Sequence, residues 1–129
     1  MPADSYVLST LVMPAQTNHL GVLHGGHMLS WMDMAAWVVA ARTVEPDQRV
    51  MFKAVNECVW SASLHAGEVC NVEARLAALG TTSLTIQMTA TAEDPVKKTT
   101  WPVCQARFTM VAVGADGRPE PIRRSSLDS

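Results

Sequence analysis

Hydrophobic positions along this chain follow two different periods. From residue 27 to 43 neither Gly nor Pro occurs, helix formers outnumber β-branched residues, and Met28, Leu29, Trp31, Met32, Met34, Ala35, Ala36, Trp37, Val38 and Val39 form a dense apolar run. This pattern predicts a helix, entered through a turn at His24, Gly25 and Gly26. The apolar residues go nearly all the way round, so the helix is expected to be enclosed on every side. After Pro46 the period changes to that of strands. Alternation or β-branched enrichment marks 50–60 (VMFKAVNECVW), 68–79 (EVCNVEARLAAL), 82–92 (TSLTIQMTATA) and 103–113 (VCQARFTMVAV), with turn signals at HAG, GTT and EDP. A further strand is expected at 6–13, and residues 116–129 read as a loose tail after a turn. The order β-α-β-β-β-β describes an α+β fold in which one antiparallel sheet wraps one long central helix, the whole chain 1–129 forming a single domain.

Composition adds an assembly to this picture. With 48% hydrophobic and 17% charged residues over 129 positions, the chain has more apolar surface than one small domain hides, which points to an oligomer. The formal net charge of −2 offers no basic stripe for phosphates, so nucleic acid is not an expected partner. Cys58, Cys70 and Cys104 form an odd, widely spaced set without a CxxC pair, which reads as free thiols in a reducing compartment, the cytoplasm. The first residues carry no Lys or Arg, and no uninterrupted apolar run has membrane-spanning length. A soluble protein without a membrane partner is expected.

Candidate chemistry gathers in NHLGVLHGGHMLSWMD, residues 18–33. His27, Ser30 and Asp33 recur every three residues and so form one polar stripe on the apolar helix. Asp33 can serve as a base or nucleophile, or bind something local at the edge of the stripe. Gly25 and Gly26 make either a tight turn or an opening where unpaired helix N–H groups meet an anion. Asn18 can orient a water or a carbonyl, or form an Asx turn. A metal site built from His19, His24, His27 and Asp33 fits no known ligand spacing. A G-x-S-x-G elbow is absent, and no Cys lies near the histidines.

Read together, PAQTNHLGVLHGGHMLSWMD resembles the signature of hotdog-superfamily acyl-CoA thioesterases, particularly the bacterial and cytosolic acyl-CoA hydrolases. HAGEVCNVEARLAALGTTSLTIQM is similar to their strand, glycine turn and strand, and FTMVAVGADGRPEPI to their final strand with its DGRP turn. The resemblance spans most of 6–122. Its Asn-x6-Gly-Gly-x6-Asp core also occurs in phenylacetyl-CoA-type thioesterases.

The resemblance implies a hotdog fold and hydrolysis of acyl-CoA to a free acid and CoA. It implies that Asp33 activates water or attacks the thioester, Asn18 positions it, and the Gly25 and Gly26 amides polarise its carbonyl. His24 would donate to the thioester region or brace the turn, and Gly80, Thr81, Thr82 and Ser83 would border the pantetheine and phosphates of CoA. It implies neither metal nor cofactor, and a homodimer with shared sites, alone or within a dimer of dimers or trimer of dimers. The sharing has a geometric reason as well: Gly25 and Asp33 stand ~12 Å apart along a helix, beyond the reach of one carbonyl. An aryl-CoA thioesterase and a non-catalytic acyl-CoA sensor are the other readings, and the presence of both Asp33 and Asn18 favours turnover.

Overall fold

The computed structural model describes residues 4–125. Its core is set by three consecutive strands, β3 (Val69–Leu79), β4 (Ser83–Asp94) and β5 (Thr99–Val113). In β4 the alternation is strict: Leu84, Ile86, Met88, Ala90 and Ala92 are fully buried while the Thr and Gln residues between them face outward. The register places Leu84 opposite Met110, Ile86 opposite Phe108 and Met88 opposite Ala106, so buried residues stack across strands. Each large apolar side chain hidden this way contributes ~1.5–3 kcal/mol. β1 (Ser5–Leu11) pairs with β3, and β2 (Arg49–Trp60) pairs with β5, giving the antiparallel order β1-β3-β4-β5-β2 with β1 and β2 as edges.

Helix α1 (Gly25–Thr43) lies on one face of this sheet and touches all five strands. Met28, Met32, Ala35, Ala36, Val39 and Ala40 are fully buried against it. The three alanines let the helix axis come close to the sheet. The expected long helix and antiparallel sheet are therefore present, with two differences in the helix. It begins at Gly25, because both glycines take helical conformation. It is also not enclosed by its own chain: Leu29, Met34 and Trp37 are 39%, 48% and 53% exposed. The apolar circumference serves the sheet on one side and faces outward on the other.

β5 begins at Thr99, ahead of the expected Val103, and accommodates Pro102 at a slip in its pairing with β4. The expected looseness after residue 116 does not extend to the described part of that segment. Glu120 N donates to Ala112 O, Ile122 N to Thr81 O and Ser125 N to Thr43 O, while buried Gln48 donates to Glu120 and Pro121 and accepts from Arg123 N. Residues 126–129 of that expected tail lie outside the described residues. No helix among the described residues is long and apolar enough to cross a membrane.

Candidate active site

The loop before α1 is shaped by its own hydrogen bonds. Asn18 Oδ1 accepts from Leu20 N at 2.9 Å and Val22 N at 3.1 Å, and Gly21 closes the turn at φ 73° with its N–H on Asn18 O. Asn18 is thus an Asx-turn residue. With the oxygen committed, its side-chain Nδ2 amide finds no acceptor among the described residues and faces any ligand only as a donor. His24 N donates to Gln16 O at 3.0 Å, so the His24 backbone ties this loop to the start of the helix. The exposed His24 ring stands 6.4 Å from the His27 ring, which in turn lies 6.3 Å from buried Trp31.

At that start the N–H groups of Gly25 and Gly26 have no acceptor among the described residues, His24 provides no side-chain cap, and the first turn holds no acid. Unpaired amides at the positive end of the helix dipole are donors for developing negative charge. Neither glycine is required by the backbone: both have ordinary φ, a Cβ on Gly26 would meet nothing within 4 Å, and one on Gly25 would meet only Trp60 Cζ2 at 3.8 Å. Glycine costs helix stability there. What it provides is open space on the outside of the first turn.

Asp33 lies on the outward face of α1, exposed, with no hydrogen bond or ion pair among the described residues. The apolar sequence around it belongs to a face that this chain leaves open. Two clefts meet at Asp33: one of about 510 Å³ toward Trp37, Tyr6 and Leu8, the other of about 360 Å³ toward Gly26, Leu29 and Ser30. Both are bounded on the far side by Phe52 of β2, which the sequence reading did not single out. Its signal lay in the alternation Val50–Phe52, which marks an inward-facing pair.

The Gly80–Ser83 turn stands elsewhere. Thr82 O accepts from Ala112 N and Thr81 O from Ile122 N, and the segment continues to Ser125, which bonds the last helical residue, Thr43. These ties put the turn at the C-terminal end of α1, opposite Gly25, and it lines neither cleft. Gly80 is close-packed there, since a Cβ would meet Ser83 Oγ at 2.6 Å. Burial pushes the Cys70 and Cys104 thiols up to about 12, which keeps them neutral. Cys58 is exposed and lines neither cleft. Among the described residues no group of three or more His, Cys, Asp and Glu side chains could hold a metal ion, so the three histidines and Asp33 do not converge.

Residues 20–99 match the family model of the thioesterase superfamily. The chain belongs to the thioesterase superfamily. This thioesterase-superfamily chain is 32% identical to the acyl-CoA thioester hydrolase YciA of Salmonella typhimurium over 94% of its own length and 92% of that protein. It is 30% identical to YciA of Escherichia coli over 95% and 93%. Among solved structures, a hexameric thioesterase from Yersinia pestis shares 30% identity with a TM-score of 0.82, covering 92% of this chain and 94% of that one. A hexameric broad-specificity acyl-coenzyme A thioesterase, solved with an aspartate replaced by alanine, shares 28% with a TM-score of 0.84 over 93% and 87%. These matches carry the hotdog arrangement over almost the whole superfamily domain described above.

Proposed function

We propose that this protein hydrolyses acyl-CoA thioesters to a free carboxylic acid and CoA, at sites shared between two chains. The observation that carries the reading is the pair Gly25–Gly26: two orphaned helix amides under open space that the protein's own packing does not need. A thioester carbonyl seated there receives both N–H groups as negative charge develops on its oxygen. Asp33 is the group able to activate a water or attack the carbon, and Asn18 Nδ2 donates to the water or carbonyl. His24 braces the loop through its backbone. The acyl-CoA hydrolase names of relatives at 30–32% identity support the substrate class.

Gly25 and Asp33 of one chain cannot hold the same carbonyl, being ~12 Å apart along the helix. A twofold axis that sets Asp33 of one chain against Gly25 and Asn18 of another resolves this. Two exposed apolar surfaces support such a pair: the outer face of α1, and edge strand β2, where Met51, Val59 and Trp60 are 54%, 61% and 38% exposed. A long apolar edge left open invites aggregation, and a second copy would cover it. The hexameric relatives fit a trimer of dimers. We keep Gly80, Thr81, Thr82 and Ser83 as the border of the distal, phosphate-bearing end of CoA; the Gly80 N–H is held by Ser83 O, so the donors there are the Thr81, Thr82 and Ser83 hydroxyls. Three free thiols support a cytoplasmic setting.

The test is release of free thiol from acyl-CoA by the wild-type protein and by Asp33→Asn. The substitution is nearly isosteric at an exposed position without partners among the described residues, so folding should be unchanged while kcat falls ~10²–10⁴-fold and KM stays within a few-fold. A folded Asp33→Asn protein with wild-type kcat would remove Asp33 from the chemistry. Wild-type protein inert toward every acyl-CoA would remove the hydrolase reading itself.

A further inference from the structure

Among the described residues the two clefts beside Asp33 share two, Asp33 on α1 and Phe52 on β2. Those two side chains therefore frame a waist between the clefts. Phe52 sits on the helix-facing side of β2: Val50, Phe52 and Val55 pair with the buried residues Ala112, Met110 and Phe108 of β5, and the ladder slips between Phe52 and Ala54. That slip, a bulge at Lys53, keeps Phe52 and Val55 on the same side. The Phe52 ring meets Phe108 edge to face at 5.4 Å and 73°, which fixes its orientation. Val50 beside it is 9% exposed, yet Phe52 is 46% exposed. A large aromatic ring faces inward without being absorbed into the core.

We infer that Phe52 is a specificity-determining residue: its ring stands across from Asp33 over the reacting thioester and admits acyl groups that are slim next to the carbonyl, excluding those branched or aromatic there. The inference rests on the hydrolase reading given above. If Asp33 acts on the carbonyl carbon, the acyl chain and the thiol portion leave the waist in opposite directions, one into each cleft. Whichever way round they lie, the carbon adjacent to the carbonyl passes beneath the Phe52 ring. A methyl branch there needs room that the ring occupies, whereas a chain extended further along the cleft does not. The ordinary alternative is that Phe52 only plugs an interface with another copy. Truncation would then weaken assembly or stability and leave selectivity as it was.

The two accounts separate in one experiment. Rates of thiol release are measured for butanoyl-CoA, its α-methyl-branched homologue and benzoyl-CoA, using wild type, Phe52→Ala, Phe52→Leu and Phe52→Tyr. Phe52→Leu retains apolar contact with Phe108 and supplies a folded variant should Phe52→Ala fail to fold. Wild type and Phe52→Tyr should prefer the straight chain. The ratio of kcat/KM for the branched or aromatic substrate to that for butanoyl-CoA should rise ~10-fold or more in Phe52→Ala, and in the same direction in Phe52→Leu. Wild-type turnover of butanoyl-CoA with an unchanged ratio in a folded truncation overturns the role of Phe52 and leaves the hydrolase reading standing. Absence of wild-type turnover on all three, and on longer acyl-CoA esters, defeats the hydrolase reading and this inference with it.

Discussion

Gly26 makes the case that a residue can be costly where it sits and still be explained. Gly21 has a positive φ, which the turn requires, and a side chain at Gly80 would press on the Ser83 hydroxyl. Gly26 has neither excuse. Gly26→Ala should leave folding stability unchanged or raise it by ~0.4–1 kcal/mol, since alanine restricts the unfolded chain and fits the helix. It should nevertheless lower kcat by ~10-fold or more, because the added methyl projects into the space where the carbonyl must reach the amides. Denaturant unfolding and thiol release on the same preparation check both halves, and a more stable, fully active variant would contradict the assignment. Asp33 stood out in the sequence because a lone acid on an apolar helix has few structural uses. Its exposure did not, since a face covered by the chain's own sheet and a face open to another copy have the same composition. Asn18 shows why the two readings of one residue need not compete: its oxygen makes the turn and its nitrogen is left to donate. Phe52 was illegible as a cleft residue because inward alternation reads as core. Only the bulge at Lys53 and the edge position leave it half open.

At the scale of elements, the strands and helix were legible to within a few residues, because periods of two and of 3.6 are imposed by a one-sided sheet and a packed helix. What periodicity could not reveal is the clamp on the C-terminal segment. That segment has no alternation, and besides its backbone bonds it is held by one buried amide: Gln48, 6% exposed, bonds Glu120, Pro121 and Arg123 at 2.8–2.9 Å. Gln48→Leu is close in size but leaves the Arg123 N–H and Pro121 C=O without their partner. A loss of ~1–3 kcal/mol is expected, with hydrogen exchange rising first in residues 119–125. The Asp47–Arg123 pair at 2.7 Å lies beside the clamp. The Arg123 hydrogen bond holds the Asp47 carboxyl below its ordinary value. Any contribution of that pair is present above the usual carboxylate range and disappears as pH falls through the lowered value. A clamp variant protected as strongly as wild type would show that the segment is held by its backbone bridges alone.

For the whole molecule, the proposed sharing of sites between two chains makes a quantitative prediction. Chains carrying Asn18→Asp keep an oxygen for the Leu20 and Val22 amides but lose the donor, and chains carrying Asp33→Asn lose the base. Each variant alone should be nearly inactive. After subunit exchange at equal amounts, a heterodimer puts both lesions in one site and leaves the other intact, so about a quarter of wild-type activity should return for random pairing. Mass spectrometry showing mixed assemblies without recovered thiol release would mean that Asn18 and Asp33 of the same chain work together. The fold class was readable from element order, whereas the expectation of a shared site came from arithmetic along the helix. The structure adds the open faces that a second chain would cover.

Strand order has a kinetic consequence. β3, β4 and β5 are sequential neighbours joined by short turns, whereas Ser5 must find Arg75 and Arg49 must find Val113 before either edge is laid down. Closing those long loops costs more chain entropy than closing a hairpin, so the three-stranded meander forms early and the two edges arrive late. β2 is one of those edges, and it brings Phe52 to Asp33 and Trp60 to Gly25. The cleft between Asp33 and Phe52 is thus among the last features assembled during folding and among the first lost in partial opening.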